Sequence, residues 1–162
     1  SLNHLLITEN RHRFIMVDKE MQLSQSVGLV SCFNNSHPMP LANNTLLAND
    51  TLDNFCHEIA VTVTTSKGSI IISPCSHNGM LNTLDACAHL GNFTHYIGGT
   101  HLVDDYESEE ELLGLATSLK ECYPSLTLIS GHCTGIYAKQ AFQSVLNDKF
   151  IEFYTGFKLI IE

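Results

Sequence analysis

The stretch "IISPCSHNGMLNTL", residues 71–84, decides how this chain folds. It opens in an apolar, β-branched run and closes in a helical pattern, with Cys75, Ser76 and His77 between the two. A run of isoleucines followed by a turn at Asn78-Gly79 predicts a buried strand that leads directly into a helix. The imidazole at the end of this strand therefore either caps the turn or belongs to a site.

The residues upstream predict a partner for this strand. Two β-branched runs in "EIAVTVTTSKGSIIIS", residues 58–73, flank a short turn that contains Gly68, which is typical of a β-hairpin. Residues 34–54 are dense in Asn, Pro and Asp and are predicted to form a long loop. Three apolar runs before that loop are predicted to be strands or hairpins, namely Leu5–Ile7, Phe14–Val17 and Val27–Val30.

Strands and helices alternate downstream of residue 77. A helix is predicted at about 80–90, a strand at 94–97, and a second helix whose start is marked by Ser108 and Glu111, the spacing of a capping box. A strand at 126–129 precedes a third helix, and strands at 149–153 and 157–161 end the chain. This alternation predicts an α/β fold with one largely buried sheet covered by helices.

Composition limits the class of protein. With 162 residues, 44% of them hydrophobic, the chain is predicted to form a single domain over 1–162 without a membrane span. A net charge of -9 argues against nucleic acid as a partner, because phosphate binding needs clustered cations. The six cysteines form no CxxC pair, which predicts neither a zinc ribbon nor a disulfide framework and favours a reduced, cytoplasmic setting.

Three histidines follow three successive strands. His77 ends "SIIISPCSH", His101 ends "HYIGGTH" and His132 ends "LTLISGH". Ligands in open α/β sheets gather beyond the carboxyl ends of the strands, so these loops are expected to converge. Three imidazoles with an open position suit a catalytic metal such as Zn, with Fe or Mn as alternatives.

The histidines and the neighbouring cysteines also have simpler interpretations that involve no metal. A single histidine is usually an exposed or hydrogen-bonded residue, and this interpretation is kept for five histidines outside the three loops, His4, His12, His37, His89 and His95. Cys75 and Cys133 lie within two residues of the candidate ligands and are interpreted as packed small residues without a partner thiol. A Cys-His nucleophile pair is the alternative, although no adjacent base singles out one thiol.

Glycines accompany two of the histidines. Gly98-Gly99 precedes His101, and Thr134-Gly135 follows His132 at the predicted start of a helix. Glycine lets the backbone approach a ligand closely, and free N–H groups at a helix start favour an anion. A tight turn that simply requires glycine explains the same residues.

The motifs "DNFCHE" (53–58), "PCSHNGMLNTL" (74–84), "IGGTHL" (97–102) and "GHCTG" (131–135) together resemble the back half of the metallo-β-lactamase fold. More narrowly, they resemble the branch of metal-dependent hydrolases like dihydropterin-ribofuranosylaminobenzene phosphate synthase. The resemblance runs from about residue 50 to 162. It implies part of an αββα sandwich, roughly one sheet with its covering helices, and a metal-activated water as nucleophile.

The resemblance also implies roles for individual residues. His77 and His132 match metal-ligand positions, and His101 lies where many members have an aspartate that bridges two metals. A neutral imidazole has one free lone pair, so His101 is expected to serve one metal or to orient a ligand. His57, Glu58, Thr134 and Gly135 are expected to support the site or contact substrate, with a buried structural pair as the alternative for His57-Glu58.

The leading motif of the resembled family, His-x-His-x-Asp-His, is absent from these residues. The sequence therefore predicts half a fold and at most half of a site for one or two divalent ions. Because the chain begins at Ser1 rather than Met, it is expected to be a fragment that lacks the N-terminal half, or to pair with another copy. Half a sandwich exposes an apolar sheet face, which predicts self-association.

Two functions follow as hypotheses. The first is the C-terminal part of a metal-dependent hydrolase acting on an ester, phosphoester or related bond of a small-molecule substrate. Metal binding and turnover by this chain alone are expected to be weak, and no residue is assigned as catalytic. The second is a non-catalytic module on the same fold that binds a ligand or assembles with itself.

Overall fold

A computed structural model describes residues 4–31 and 33–161 of the chain. Its main feature is a seven-stranded sheet in the order β1-β2-β5-β6-β7-β8-β9, with β3 and β4 paired separately. The strands are β1 Glu20–Gln22, β2 Val27–Val30, β3 Leu47–Ala48, β4 Thr51–Leu52, β5 Ala60–Thr65, β6 Gly68–Cys75, β7 Phe93–Gly99, β8 Thr127–Ser130 and β9 Phe150–Glu152.

The relative direction of neighbouring strands changes at β6. From β1 to β6 neighbouring strands are antiparallel, and the predicted hairpin is present with Thr65 opposite Gly68. From β6 to β9 the strands are parallel, so β6, β7 and β8 all end at the same edge of the sheet. The convergence of the three strand-end loops is a direct consequence of this parallel pairing.

Helices connect the parallel strands. The α-helices are α1 His4–Glu9, α2 Met80–Ala86, α3 Glu109–Cys122 and α4 Ile136–Leu146. The start of α3 has the predicted capping box, in which the Ser108 hydroxyl accepts from the Glu111 N–H and the Glu111 carboxylate accepts from the Ser108 N–H. None of the helices in the described ranges is long and apolar enough to cross a membrane.

The two faces of the sheet are buried to different degrees. One register row, Thr62, Ile71, Tyr96, Leu128 and Phe150, lies under α2, α3 and α4 and is almost inaccessible to solvent. The next row lies on the opposite face and consists of Val61, Ile72, Ile97, Ile129 and Ile151. All but Ile129 of this second row, here called the aliphatic row, are only partly buried.

The C-terminal segment partly covers the aliphatic row. Phe153, Phe157 and Leu159 line a cavity together with Ile97 and Ile129. The prediction of a final strand at 157–161 is wrong, because this segment follows β9 as a turn and irregular chain. Its aromatic and aliphatic side chains contact the sheet face rather than extending the sheet at its edge.

Two predictions for the N-terminal part are also wrong. Leu5–Ile7 is helical within α1, and Phe14–Val17 is irregular. The third apolar run is strand β2 as predicted, and its partner β1 lies in a polar stretch without a strand signal. Within 34–54, predicted as a loop, the structure has a 3-10 helix at Leu41–Thr45 and the small β3–β4 hairpin.

Candidate metal centre

The candidate ligands lie just beyond the ends of three parallel strands. Cys75 is the last residue of β6 and His77 follows it by two residues, while His101 follows the end of β7 and His132 the end of β8. His101 and His132 have left-handed backbones, with φ of 55° and 53°. Such φ values are uncommon for residues with a β-carbon and cluster at functional sites.

All three predicted histidines are brought together around one sulfur. Cys75, His77 and His101 form one group of possible ligand atoms, and Cys75, His132 and Cys133 form another. Within each group the ligand atoms lie no more than 4.8 Å from one another. Cys75 belongs to both groups, so the two sets are continuous in space.

The two thiols contact each other, and their interpretation as packed residues without a partner thiol is wrong. Cys75 Sγ lies 2.8 Å from Cys133 Sγ and 3.3 Å from His101 Nδ1. Cys133 Sγ also accepts a hydrogen bond from the His101 backbone N–H at 3.3 Å. Both cysteines are free. The signal in the sequence was their position beside the two histidines at ends of parallel strands.

His77 is held between an aromatic ring and a second imidazole. The Phe55 ring stacks on it with centroids 4.4 Å apart and an interplanar angle of 6°, and the His101 ring centroid lies 4.0 Å away. His77 Nδ1 lies 3.1 Å from Asn43 Oδ1, so Nε2 is the ring nitrogen of His77 that remains for a metal. Phe55 and Asn43 were not predicted as site residues, because Phe55 lies in the irregular segment before β5 and Asn43 in the 3-10 helix Leu41–Thr45, within the stretch predicted as a loop.

Glu58 organises the turn that carries His77. Its Oε1 accepts from the His77 N–H at 2.9 Å, and its Oε2 accepts from the Asn78 N–H at 2.8 Å. The carboxylate therefore serves the backbone of the strand-end turn. The neighbouring His57 is not part of a buried pair, because its side chain is 68% exposed and lies 3.8 Å from Asp53.

Thr134 and Gly135 lie between β8 and α4, next to the cluster. The Thr134 hydroxyl accepts from the Thr100 N–H at 3.1 Å and bonds Ser130 at 2.7 Å, which ties the loop after β7 to the loop after β8. Gly135 precedes α4, and Asp104 Oδ1 accepts from the Tyr137 N–H at 3.1 Å. The anion expected at this helix start is thus a carboxylate of the chain itself.

Two glycines make room for the cluster. Gly98 has φ of 150°, and a β-carbon there would lie 1.6 Å from the Ser73 carbonyl oxygen. A β-carbon on Gly99 would lie 2.5 Å from Cys133 Sγ. The glycine pair is therefore required by the close approach of β6 on one side and of the Cys133 sulfur on the other.

The site shifts the pKa values of its own members. Burial, together with the nearby His77 and His132, lowers the pKa of His101 to about 4, and burial also lowers the pKa of His77. The hydrogen bond between the sulfurs lowers the pKa of Cys133 to about 6 and raises that of Cys75. Neutral imidazoles and an easily formed thiolate are the protonation states in which these groups bind metals.

The residues present fit a divalent metal. His101 Nε2 is buried and has no hydrogen-bond partner among the described residues, which is unusual for an imidazole nitrogen. Imidazole and thiolate donors suit borderline metals such as Zn. Because neutral imidazole nitrogens coordinate readily, the orphaned nitrogen is an observation in favour of a ligand role for His101.

The remaining histidines of the described chain have ordinary surroundings. His37 Nε2 lies 2.9 Å from Asp85, His89 Nε2 lies 3.4 Å from Glu20 and His95 Nδ1 lies 3.0 Å from the Thr94 hydroxyl. His12 is exposed, and the side chain of His4 lies outside the described residues. For His12, His37, His89 and His95 this agrees with their interpretation as surface or hydrogen-bonded residues.

The fold defines a class of protein. Over 91% of its length the chain superposes on 58% of a solved metal-dependent hydrolase of the β-lactamase superfamily, with a TM-score of 0.78 and 24% sequence identity. The chain thus has the metallo-β-lactamase fold, one large sheet with covering helices, over part of that fold's length. The resemblance drawn from the four motifs is confirmed.

The chain also resembles a curated protein over part of its length. The chain is 31% identical over 108 residues to 7,8-dihydropterin-6-methyl-4-(beta-D-ribofuranosyl)-aminobenzene-5'-phosphate synthase of Methanocaldococcus jannaschii. The match covers 65% of this chain and 36% of that protein, so the chain spans about a third of the relative's length. No family model matches the chain.

Proposed function

We propose that this chain is the part of a metal-dependent hydrolase that supplies His77, His101 and His132 to a divalent metal, with Zn first and Fe or Mn as alternatives. The observation that carries the proposal is the buried His101 Nε2, which has no hydrogen-bond partner among the described residues. It lies in a cluster of two overlapping groups, Cys75 with His77 and His101, and Cys75 with His132 and Cys133, and the ligand atoms within each group lie within 4.8 Å of one another. A divalent metal bound there supplies a Lewis acid that activates water against an ester or phosphoester.

The chain's own residues prepare the ligands. Asn43 holds Nδ1 of His77, and the Phe55 ring covers one face of its imidazole. Glu58 holds the backbone of the turn at His77 and Asn78. Such surrounding contacts fix a ligand's orientation, and their loss typically costs about 10–100-fold in metal affinity.

The site is proposed to be incomplete in this chain. The His-x-His-x-Asp-His run expected of the resembled family is absent, and the chain spans 36% of one relative and 58% of the solved hydrolase. We therefore expect metal binding weaker than in a complete hydrolase and turnover that is low or absent.

Metal content tests the ligand assignment. Purified protein is equilibrated with Zn²⁺, dialysed and analysed for bound metal, together with His77→Ala, His101→Asn and His132→Asn. Asparagine is chosen for the last two because it tolerates the left-handed backbone better than alanine does. Each variant is expected to retain at least about tenfold less metal than the wild type under limiting Zn²⁺.

His89→Ala is the matched control, because His89 is an exposed histidine paired only with Glu20 in the described contacts. Its metal content should equal that of the wild type. If all three site variants also keep wild-type metal content with unchanged circular dichroism, the proposed centre is wrong.

Hydrolysis is measured separately on a generic phosphodiester and a generic ester, with added Zn²⁺ or Mn²⁺. Any turnover is expected to be low, dependent on the metal and lost in His77→Ala. Fast turnover by the isolated chain would contradict an incomplete site. Turnover that is unaffected by a chelator would contradict the metal assignment.

A second candidate function is ligand binding without catalysis. A cavity of about 350 Å³ lies beside the cluster and is lined by Pro38, Met39, Leu41, Leu81, Leu102 and Glu107 among others. Glu107 Oε2 is buried there without a partner in the described chain, and burial raises the pKa of this carboxyl. Saturable binding of a small apolar amine or alcohol, in protein that shows no turnover with any metal, would favour this function.

A further inference from the structure

We propose that Cys75 and Cys133 are metal ligands and that Cys75 is the ligand shared between two adjacent metal positions. The proposal deepens the proposed function, because it concerns the same edge of the sheet. It assigns thiolate ligands that the four motifs alone did not suggest.

The shared role follows from the contacts of one sulfur. Cys75 Sγ lies 3.3 Å from His101 Nδ1 on one side and 2.8 Å from Cys133 Sγ on the other. It is the common member of the group with His77 and His101 and of the group with His132 and Cys133. No other residue in the described ranges belongs to both groups.

The chemistry of the donors supports sulfur rather than nitrogen in this role. A neutral imidazole offers one free lone pair, so His101 cannot bridge two ions. A thiolate sulfur carries several lone pairs and is a strong ligand for Zn²⁺ and other borderline or soft metals. Cys75 would thus provide the bridging donor that, by the resemblance, a carboxylate at the position of His101 would otherwise supply.

Small movements suffice for coordination. Two thiolates bound to one Zn²⁺ at about 2.3 Å in a tetrahedron lie about 3.8 Å apart, so the two sulfurs need to separate by about 1 Å. Both cysteines are only partly buried, and the β-carbon-free Gly99 lies beside Cys133 Sγ.

Cobalt titration of reduced protein reads out the thiolates directly, since sulfur-to-cobalt charge transfer gives an ultraviolet band that histidine ligands do not produce. The background is a variant with Cys32→Ser, Cys56→Ser and Cys122→Ser, which leaves Cys75, Cys133 and the buried Cys87. This background is expected to bind two equivalents of Co²⁺ and to show the band.

The two site cysteines should behave differently. Cys133→Ser removes a ligand from one group only, so one cobalt equivalent and part of the band should remain. Cys75→Ser removes a ligand from both groups, so both equivalents should bind at least about tenfold more weakly. Cys87→Ser, which changes a buried thiol away from the site, should leave the titration unchanged.

Cobalt binding without a charge-transfer band would overturn the proposal, as would equal titrations of Cys75→Ser and Cys87→Ser. So would protein in which these two thiols are oxidised to a disulfide, as read by mass and thiol titration, and which still binds two equivalents of Co²⁺. Loss of metal in the histidine variants with no change in the thiol variants would reject this inference and leave the proposed function standing.

Discussion

At the residue scale, the Glu58 carboxylate holds the turn that carries His77. Its two carboxylate oxygens accept from two successive backbone N–H groups, those of His77 and Asn78, and Oε2 also accepts from the Asn78 side chain at 2.5 Å. The turn after β6 leaves these donors without a strand partner. A carboxylate is suited to them because it accepts several hydrogen bonds and donates none.

Glu58→Gln is therefore expected to destabilise the protein and loosen the turn. The amide replaces one acceptor oxygen by a donor that faces an N–H group, which should cost about 1–3 kcal/mol in the free energy of unfolding. Urea unfolding followed by circular dichroism measures the loss. Glu110→Gln, on the exposed first turn of α3, is the control and should change stability by less than about 0.5 kcal/mol.

The histidines were predictable at this scale and the thiol pair was not. Each histidine follows a recognisable strand, so its position at the sheet edge can be deduced from the parallel order. The contact between Cys75 and Cys133 joins residues that β7 separates, and it depends on side-chain direction and on the missing β-carbon of Gly99. Neither the direction of the two cysteine side chains nor the approach of Cys133 Sγ to Gly99 can be deduced from a local pattern of residues.

At the scale of elements, two glycines differ in whether the structure has room for a β-carbon at their position. Gly114 lies within α3, where a β-carbon would meet nothing within 4 Å. Gly98 lies in β7 with φ of 150°, against the backbone of Ser73. The first glycine only adds flexibility to the helix, whereas the second is required by the packing of β7 on β6.

Gly114→Ala should stabilise the protein by about 0.5–1 kcal/mol, because alanine has the higher helix propensity. Gly98→Ala should destabilise it by several times that amount or prevent folding, because Ser73 cannot move away from the new methyl group without breaking the sheet. Thermal and urea unfolding of both variants test the contrast. A stabilising effect of Gly98→Ala would show that the two strands are not in the described register.

Elements with several consistent signals were predicted well. The α3 helix combines a capping box with helical periodicity, and β5 and β6 combine β-branched runs with a short turn. The wrong strand predictions concern short apolar runs that lack these signals, namely Leu5–Ile7, Phe14–Val17 and 157–161. A run of three to five apolar residues fits a helix turn, a strand or a covering segment equally well, and tertiary contacts decide among them.

At the scale of the whole molecule, the two faces of the sheet differ in how they are covered. Helices cover the row around Ile71 and Tyr96 completely, whereas the C-terminal segment covers only the Ile97–Ile129 part of the aliphatic row. Val61 and Ile72 remain partly exposed. We propose that a second copy of the chain covers this part, because a twofold arrangement would place the same apolar row of both copies against each other.

Sedimentation at several concentrations tests this association. Ile72→Thr keeps a β-branched side chain but removes apolar area, and it should weaken self-association by about tenfold because both copies lose the contact. Leu52→Thr is the matched control, since Leu52 is 60% exposed but lies on the separate β3–β4 hairpin. A monomer at every concentration, with or without Ile72, would contradict the proposal.

The left-handed backbones of His101 and His132 have a consequence for engineering. Each residue with a β-carbon costs about 1–2 kcal/mol in that conformation, and glycine or asparagine relieves much of it. A thermostability screen that ignores activity would therefore select replacements at these two positions early. Variants selected in this way would unfold at a higher temperature but would lack the imidazoles. Such a screen therefore needs a metal-dependent readout from its first round.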